Sequence, residues 1–201
     1  MEIHSIMSKR YGGMLQQMSH VLIDGDNVIM IDAGAEVQDV ESVIGDKKVL
    51  AVLITHCHFD HVCCVEDYVE KWNADVYVKE GAEEKFSDAH KNCSVLIGEN
   101  SVFQVPQKNI KYYAEKLKIA DFDIDVYFTP GHAADCVCLC VEKKLFCGDL
   151  VLGGTTGRCD LYDSSYFEME KSLAKLEGID FDTAYPGHYD TLTKAEVLNS
   201  F

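Results

Sequence analysis

"VLAVLITHCHFDHVCCVEDYVEKW", residues 49 to 72, decides the reading of this chain. An uninterrupted β-branched and leucine run, "VLAVLIT", is the signature of a strand buried on both faces. It ends in His56, His58, Asp60 and His61 within six positions, and "VCCVEDYVEKWN" then places Val62, Val65, Tyr68, Val69 and Trp72 at helical spacing. A buried strand therefore delivers a packed group of imidazoles and a carboxylate to a loop that turns into an amphipathic helix. A merely solubilising loop needs no such composition.

The same arrangement recurs downstream. His132 closes "FTPGH" and His188 closes "AYPGH", and these two tripeptides use two of the three prolines in the chain. Proline fixes φ and glycine permits unusual backbone angles, so each tripeptide turns a strand end and presents the next side chain from a rigid corner. Asp149 in "LFCGDLV" follows a glycine at the end of another apolar strand. Imidazole and carboxylate are the ligands of zinc and its first-row neighbours, and seven of them exceed the needs of one tetrahedral ion but suit two. Period-two alternation lets His56, His58 and Asp60 face one way, with His61 swinging in as the helix begins. A carboxylate shared between the ions, the natural task for Asp149, would tie them at roughly 3.5 to 4 Å.

Around these motifs lies an ordinary globular composition. The 201 residues, 47% hydrophobic and 26% charged, suffice for one domain with a sizeable core, and no Pro, Gly or Ser linker divides residues 1–201. The formal net charge of -16 repels phosphate backbones and anionic bilayers, which leaves a small-molecule substrate as the expected partner and excludes nucleic acid and membrane surfaces. Composition does not set the oligomeric state. No window has signal-peptide or membrane-span length, and the nine cysteines are an odd number, so free thiols in the cytoplasm are expected.

"HVLIDGDNVIMI" (20–31) reads as a hairpin around Asp-Gly-Asp-Asn, "DVESVIGDKK" as a short helix and "ADVYVKE" as a strand. "AEEKFSDAHKN" reads as a helix, and residues 93–120 fit neither period. "DFDIDVYFTPGH", "CVCLCVEKK" and "LFCGDLVLGG" are three strand signals, "SYFEMEKSLAKLEGI" a helix, "DTAYPGH" a last strand and "TKAEVLNS" a closing helix. Strands and helices distributed in this way suit two packed sheets with helices outside.

The order HxHxDH, PGH, GD, PGH resembles that of the metallo-β-lactamase-fold hydrolases, from "HVLIDGDNVIMIDAG" to "TLTKAEVLNSF". "GGTTGRCDL", "EMEKSLAKL" and "PGHYDTLTKAE" look most like the short glyoxalase II-like (hydroxyacylglutathione hydrolase-like) branch. The resemblance implies an α+β four-layer αβ/βα sandwich with the site along one edge. It also implies that His56, His58 and His132 bind one metal, that Asp60, His61 and His188 bind a second, that Asp149 bridges and that Asp32 orients ligands. The implied cofactor is two zinc ions, with iron or manganese as substitutes. The expected chemistry is attack by a hydroxide held between the ions, through Asp60 and Asp149, on a thioester or related ester.

A mononuclear iron enzyme like the persulfide dioxygenases, a lactonase of the same fold and a binding protein with a vestigial site are the alternatives. The β-lactamases of this fold lack the bridging aspartate, so Asp149 argues against lactam hydrolysis. Arg158 matches an arginine of the glyoxalase II-like pattern and is a candidate for substrate carboxylate or for an ion pair. Tyr162 and Tyr166 either line the mouth or pack the loop. Cys136, Cys138 and Cys140 on one strand face, and Cys63 and Cys64 in the helix, read as small hydrophobes; Cys57 points away from the ligands. His4, His20 and His90 read as surface residues.

Overall fold

The computed structural model describes residues 1–13 and 15–201. The first sheet contains β1 (Glu2–Met7), β2 (Met18–Asp24), β3 (Asn27–Ile31), β4 (Lys48–Leu53), β5 (Asp75–Val78) and β6 (Ile110–Tyr112), in that order across the sheet. β1 to β3 pair antiparallel, and β3 to β6 pair parallel. Helices α1 (Val37–Ile44), α2 (Phe59–Val62) and α3 (Val65–Trp72) make its connections.

The second sheet is built from β7 (Lys116–Ile119), β8 (Phe122–Phe128), β9 (Val137–Val141) and β10 (Lys144–Gly148), with β13 (Thr183–Pro186) and β14 (Leu192–Thr193) beyond β10; β11 (Val151–Leu152) and β12 (Thr155–Thr156) form a separate small ribbon. Helix α4 (Tyr166–Leu176) starts at Ser165, whose side chain accepts the Glu168 N–H, and α5 (Lys194–Leu198) starts with a Thr193/Glu196 capping box.

Three apolar clusters define the layers. Leu22, Ile29, Ile31 and Leu53 of the first sheet meet Ile124, Val126, Leu139 and Phe146 of the second, forming the core between the sheets. Val40, Ile44, Val65, Tyr68 and Val69 cover the outer face of the first sheet, and Met169, Leu173, Leu176 and Val197 cover that of the second. The result is the expected four-layer sandwich. Strand β9 shows why its sequence lacks alternating polarity: Val137, Leu139 and Val141 face the inter-sheet core, whereas Cys138 and Cys140 face the helices. All nine cysteines are free.

Several expectations need correction. Segment 82–92 holds only a short 3-10 turn, Ala82–Ser87, and residues 93–120 contribute the edge strands β6 and β7. Cys136 lies outside β9, so only Cys138 and Cys140 share a strand face. His20 is not a surface residue but 3% exposed in β2, where it donates through Nε2 to the Pro186 carbonyl (3.0 Å) and accepts the Ser5 hydroxyl at Nδ1 (2.8 Å). β2 is buried on both faces, so a polar residue survives there only with partners. Among the described residues no helix is long and apolar enough to cross a membrane.

Strand direction positions the site. β8 and β10 are both antiparallel to β9, and β13 is parallel to β10, so these three end at the same edge. β3 and β4 are parallel and end together in the other sheet.

Candidate metal centre

Most of the polar side chains singled out by the ligand motifs lie in the loops that follow those five strand ends. Asp32 follows β3; His56 and His58 follow β4; His132, Asp149 and His188 follow β8, β10 and β13. Asp60 and His61 lie inside α2, so Asp60 belongs to a helical turn rather than to the extended segment expected from period two. Three groups of donor atoms, each within 4.8 Å of one another, result: His56, His58 and His132; His56, His61 and Asp149; and Asp60, His61 and His188.

Asp149 sits between the first and last of these. Its Oδ2 is 3.4 Å from His132 Nε2 and 3.4 Å from His188 Nε2, and its Oδ1 is 3.4 Å from His61 Nε2. Asp60 Oδ2 is 3.3 Å from His188 Nε2. Gly187 explains how the chain packs so closely here. A Cβ at this position would meet Asp149 Oδ1 and lie 2.5 Å from His61 Cε1, so the second Pro-Gly-His needs its glycine for room rather than for a left-handed turn.

Most of the rings have one nitrogen committed. Carbonyl and carboxylate oxygens only accept, so Nδ1–H of His132 donates to the Arg158 carbonyl (2.8 Å), that of His188 to the Leu15 carbonyl (2.7 Å) and that of His61 to Asp32 Oδ2 (2.8 Å). Thr55 gives its hydroxyl proton to Asp32 and faces His56 Nδ1 at 3.2 Å. With Nδ1 committed, each of these four rings turns its Nε2 toward the centre. Asp32 does this from a left-handed backbone (φ 62°) held by the Thr55 N–H and hydroxyl.

The donor set fits a metal. His56 Nε2, His61 Nε2 and Asp149 Oδ1 are buried without a hydrogen-bond partner. Such orphans cost about 1 to 3 kcal/mol each unless something else satisfies them. His58 Nδ1 and His132 Nε2 are only 2.9 Å apart, near the roughly 3.3 Å between two nitrogens of one tetrahedral zinc.

The electrostatics point the same way. Burial pushes the His56 ring well below its ordinary pKa and His58 down to about 3, with neighbouring imidazoles adding to the effect. Burial opposes charge on His61 and His188 too, yet Asp32, Asp60 and Asp149 hold His61 well above its ordinary value, and Asp149 and Asp60 lift His188 to about 10.

A cavity of about 210 Å³ opens onto this edge, walled by Leu15, Phe59, Leu96, Ile97 and Leu161, with Cys93 and Arg158 beside the donors. Arg158 is exposed and makes a two-point ion pair with Asp160, both contacts at 2.9 Å. Tyr162 is not part of the cavity wall; its neighbour Leu161 is, while the Tyr162 ring lies 5.8 Å from the Lys85 ammonium. Tyr166 is exposed at the start of α4. Cys57 packs into the core under the first sheet, facing away from the ligands as its register implied.

Sequence reasoning missed Lys85, Asp135, Thr55 and the Leu15 and Arg158 carbonyls. Only Asp135, an acid three residues after His132, carried a local signal.

Fold and donor set together define a metal-binding sandwich protein. The profile of the metallo-beta-lactamase superfamily matches residues 12–188, and the chain belongs to that superfamily. Among curated relatives, it is 31% identical over 153 residues to the probable metallo-hydrolase YqgX of Bacillus subtilis, covering 74% of this chain and 72% of that one. It is 29% identical over 159 residues to a hydroxyacylglutathione hydrolase of Buchnera aphidicola, covering 78% of this chain and 54% of that enzyme. Among solved structures, the BLEG-1 B3 metallo-beta-lactamase superposes with a TM-score of 0.88 at 24% identity, covering 97% of this chain and 95% of that one. TTHA1623 in a di-iron-bound form superposes with a TM-score of 0.81 at 24% identity, covering 96% of each chain.

Proposed function

We propose that this chain is a dinuclear hydrolase, with zinc as its resident ion, that cleaves a thioester or related ester of a small substrate in the cytoplasm. The observation that carries the reading is Asp149: one carboxylate oxygen equidistant, at 3.4 Å, from an imidazole of each donor group. His56, His58 and His132 would hold one ion and Asp60, His61 and His188 the other, with Asp149 between them. Bound there, such ions supply Lewis acidity and lower the pKa of a water molecule toward neutrality.

The chain's own residues do the rest. Asp32, Thr55 and the Leu15 and Arg158 carbonyls fix the rings so that their lone pairs converge. Leu15, Phe59, Leu96, Ile97 and Leu161 exclude water and favour an apolar acyl group. Leu96 is 61% exposed at the rim, an apolar contact awaiting a substrate rather than a core position. Arg158 is the cation within reach of a substrate carboxylate, although Asp160 already offsets its charge. The hydroxyacylglutathione hydrolase relative supports the thioester class, and the di-iron neighbour supports a two-ion site. The nine free thiols support a reducing compartment.

The test is to load the protein with zinc, count ions per chain and assay acyl thioesters, esters and lactones. Two ions with thioester turnover is the expected result. Two ions without turnover of any of these removes the substrate class. A single iron with oxygen uptake replaces the hydrolase by an oxidoreductase.

A further inference from the structure

Lys85 lies in the Ala82–Ser87 turn, far from the ligand motifs in sequence, yet it is 5% exposed at the edge of the site. Its ammonium is 2.6 Å from Asp135 Oδ1 and 2.8 Å from Asp163 Oδ2. Asp135 uses its other oxygen to accept the Cys57 N–H at 2.8 Å, the backbone link between His56 and His58. Asp163 accepts the Ala134 N–H at 3.0 Å, two residues past His132. Asp135 thus joins the loop after β8 of the second sheet to the loop after β4 of the first, and the buried Lys85 ammonium holds it in place together with Asp163. These are the two loops that supply the three-histidine group. Asp60, His61 and His188 have no part in this network; they rest on Asp32, Asp149 and the Leu15 carbonyl.

A buried ion pair is a poor device for stability alone, since taking an ammonium out of water costs several kcal/mol and apolar residues of similar volume stabilise as well or better. Its value lies in fixed geometry. We propose that Lys85 and Asp135 are positioning residues that set the spacing of His56, His58 and His132, and so govern the affinity of one of two bound ions while leaving the other unaffected. The inference rests on the two-ion reading above.

The experiment titrates the metal-free full-length protein, wild type, Lys85→Met and Lys85→Arg, with zinc against a chromophoric chelator and with cobalt(II) by visible absorption. Folding is checked by circular dichroism. For Lys85→Met the expected result is one equivalent weakened by about 10- to 100-fold with an altered cobalt spectrum, the other equivalent unchanged, and recovery in Lys85→Arg. Charge alone gives the opposite sign, because deleting a cation beside a cation site tightens binding. Tighter binding, equal weakening of both equivalents, or no change overturns the inference. Should Lys85→Met fail to fold, Asp163→Asn decides: it keeps the Lys85–Asp135 pair, and it must weaken the same single equivalent. A wild type that holds only one ion removes the two-ion reading; the inference then stands only if Lys85→Met weakens that ion and Lys85→Arg restores it.

Discussion

His56, His58 and His132 meet as three imidazoles drawn from both sheets, whereas Asp60, His61 and His188 combine a carboxylate with two imidazoles. The first group contains no acid, and its loops are held by Asp135 and Lys85 from outside the ligand set. The second leans directly on carboxylates: Asp32 holds His61, and Asp60 and Asp149 both approach His188. The difference teaches that two neighbouring donor groups can be built by separate means, one by loop spacing and one by charge. Asp149 places one carboxylate oxygen 3.4 Å from an imidazole of each.

Asp149→Ala breaks the comparison outright. Residues that merely orient ligands cost about 10- to 100-fold when removed, so loss of the shared carboxylate is expected to lower hydrolysis by more than about 100-fold and to reduce bound zinc at both groups. Metal analysis and steady-state kinetics check it; retention of both ions would show that the groups do not share Asp149. Gly187→Ala forces a methyl against His61 and Asp149. We expect a stability loss of about 1 to 3 kcal/mol in urea unfolding together with loss of activity, as in other overpacked sites.

Asp32→Asn sharpens the contrast by mirroring the Lys85 variants. The ion held by Asp60, His61 and His188 is expected to weaken by about 10- to 100-fold, and the other less, because Asp32 reaches His56 only through Thr55. Chelator competition reads both affinities in one titration, and a larger loss at the three-histidine group would contradict the assignment.

The same contrast explains what the sequence made visible. HxHxDH and the two Pro-Gly-His corners are legible because the ligands are close in sequence or carry rigid turn residues beside them. The two sheets were legible where strands are buried on both faces, as in β4 and β9. The edge strands β6 and β7 were not, since they are short and only partly buried, and tertiary pairing rather than composition makes them strands. Lys85 sits in an ordinary charged segment, and its partner Asp135 is 50 residues away, so nothing local announces the pair. His20 shows the same limit, because a polar residue in a buried strand depends on partners, here Ser5 and Pro186, that sequence does not bring together.

His20 also provides an expected effect outside the metal centre, one that leaves metal binding untouched. Burial pushes its pKa down to about 4, whereas an unfolded histidine titrates near 6.5. The folded state therefore disfavours the proton: the contribution is complete above about pH 6.5, declines as pH falls and levels off below about 4, amounting to on the order of 3 kcal/mol. Unfolding free energies of the metal-free protein between pH 7 and 4.5 should fall less steeply for His20→Gln than for wild type. Equal slopes would mean that His20 is not neutral in the fold.

Anomalous scattering at the zinc edge from a zinc-soaked crystal tests the central claim most directly. The expected result is two peaks roughly 3.5 to 4 Å apart, with the Asp149 carboxylate between them, one within about 2.2 Å of nitrogens of His56, His58 and His132 and the other equally close to Asp60, His61 and His188. A single peak, or two peaks with Asp149 bound to neither, would contradict it.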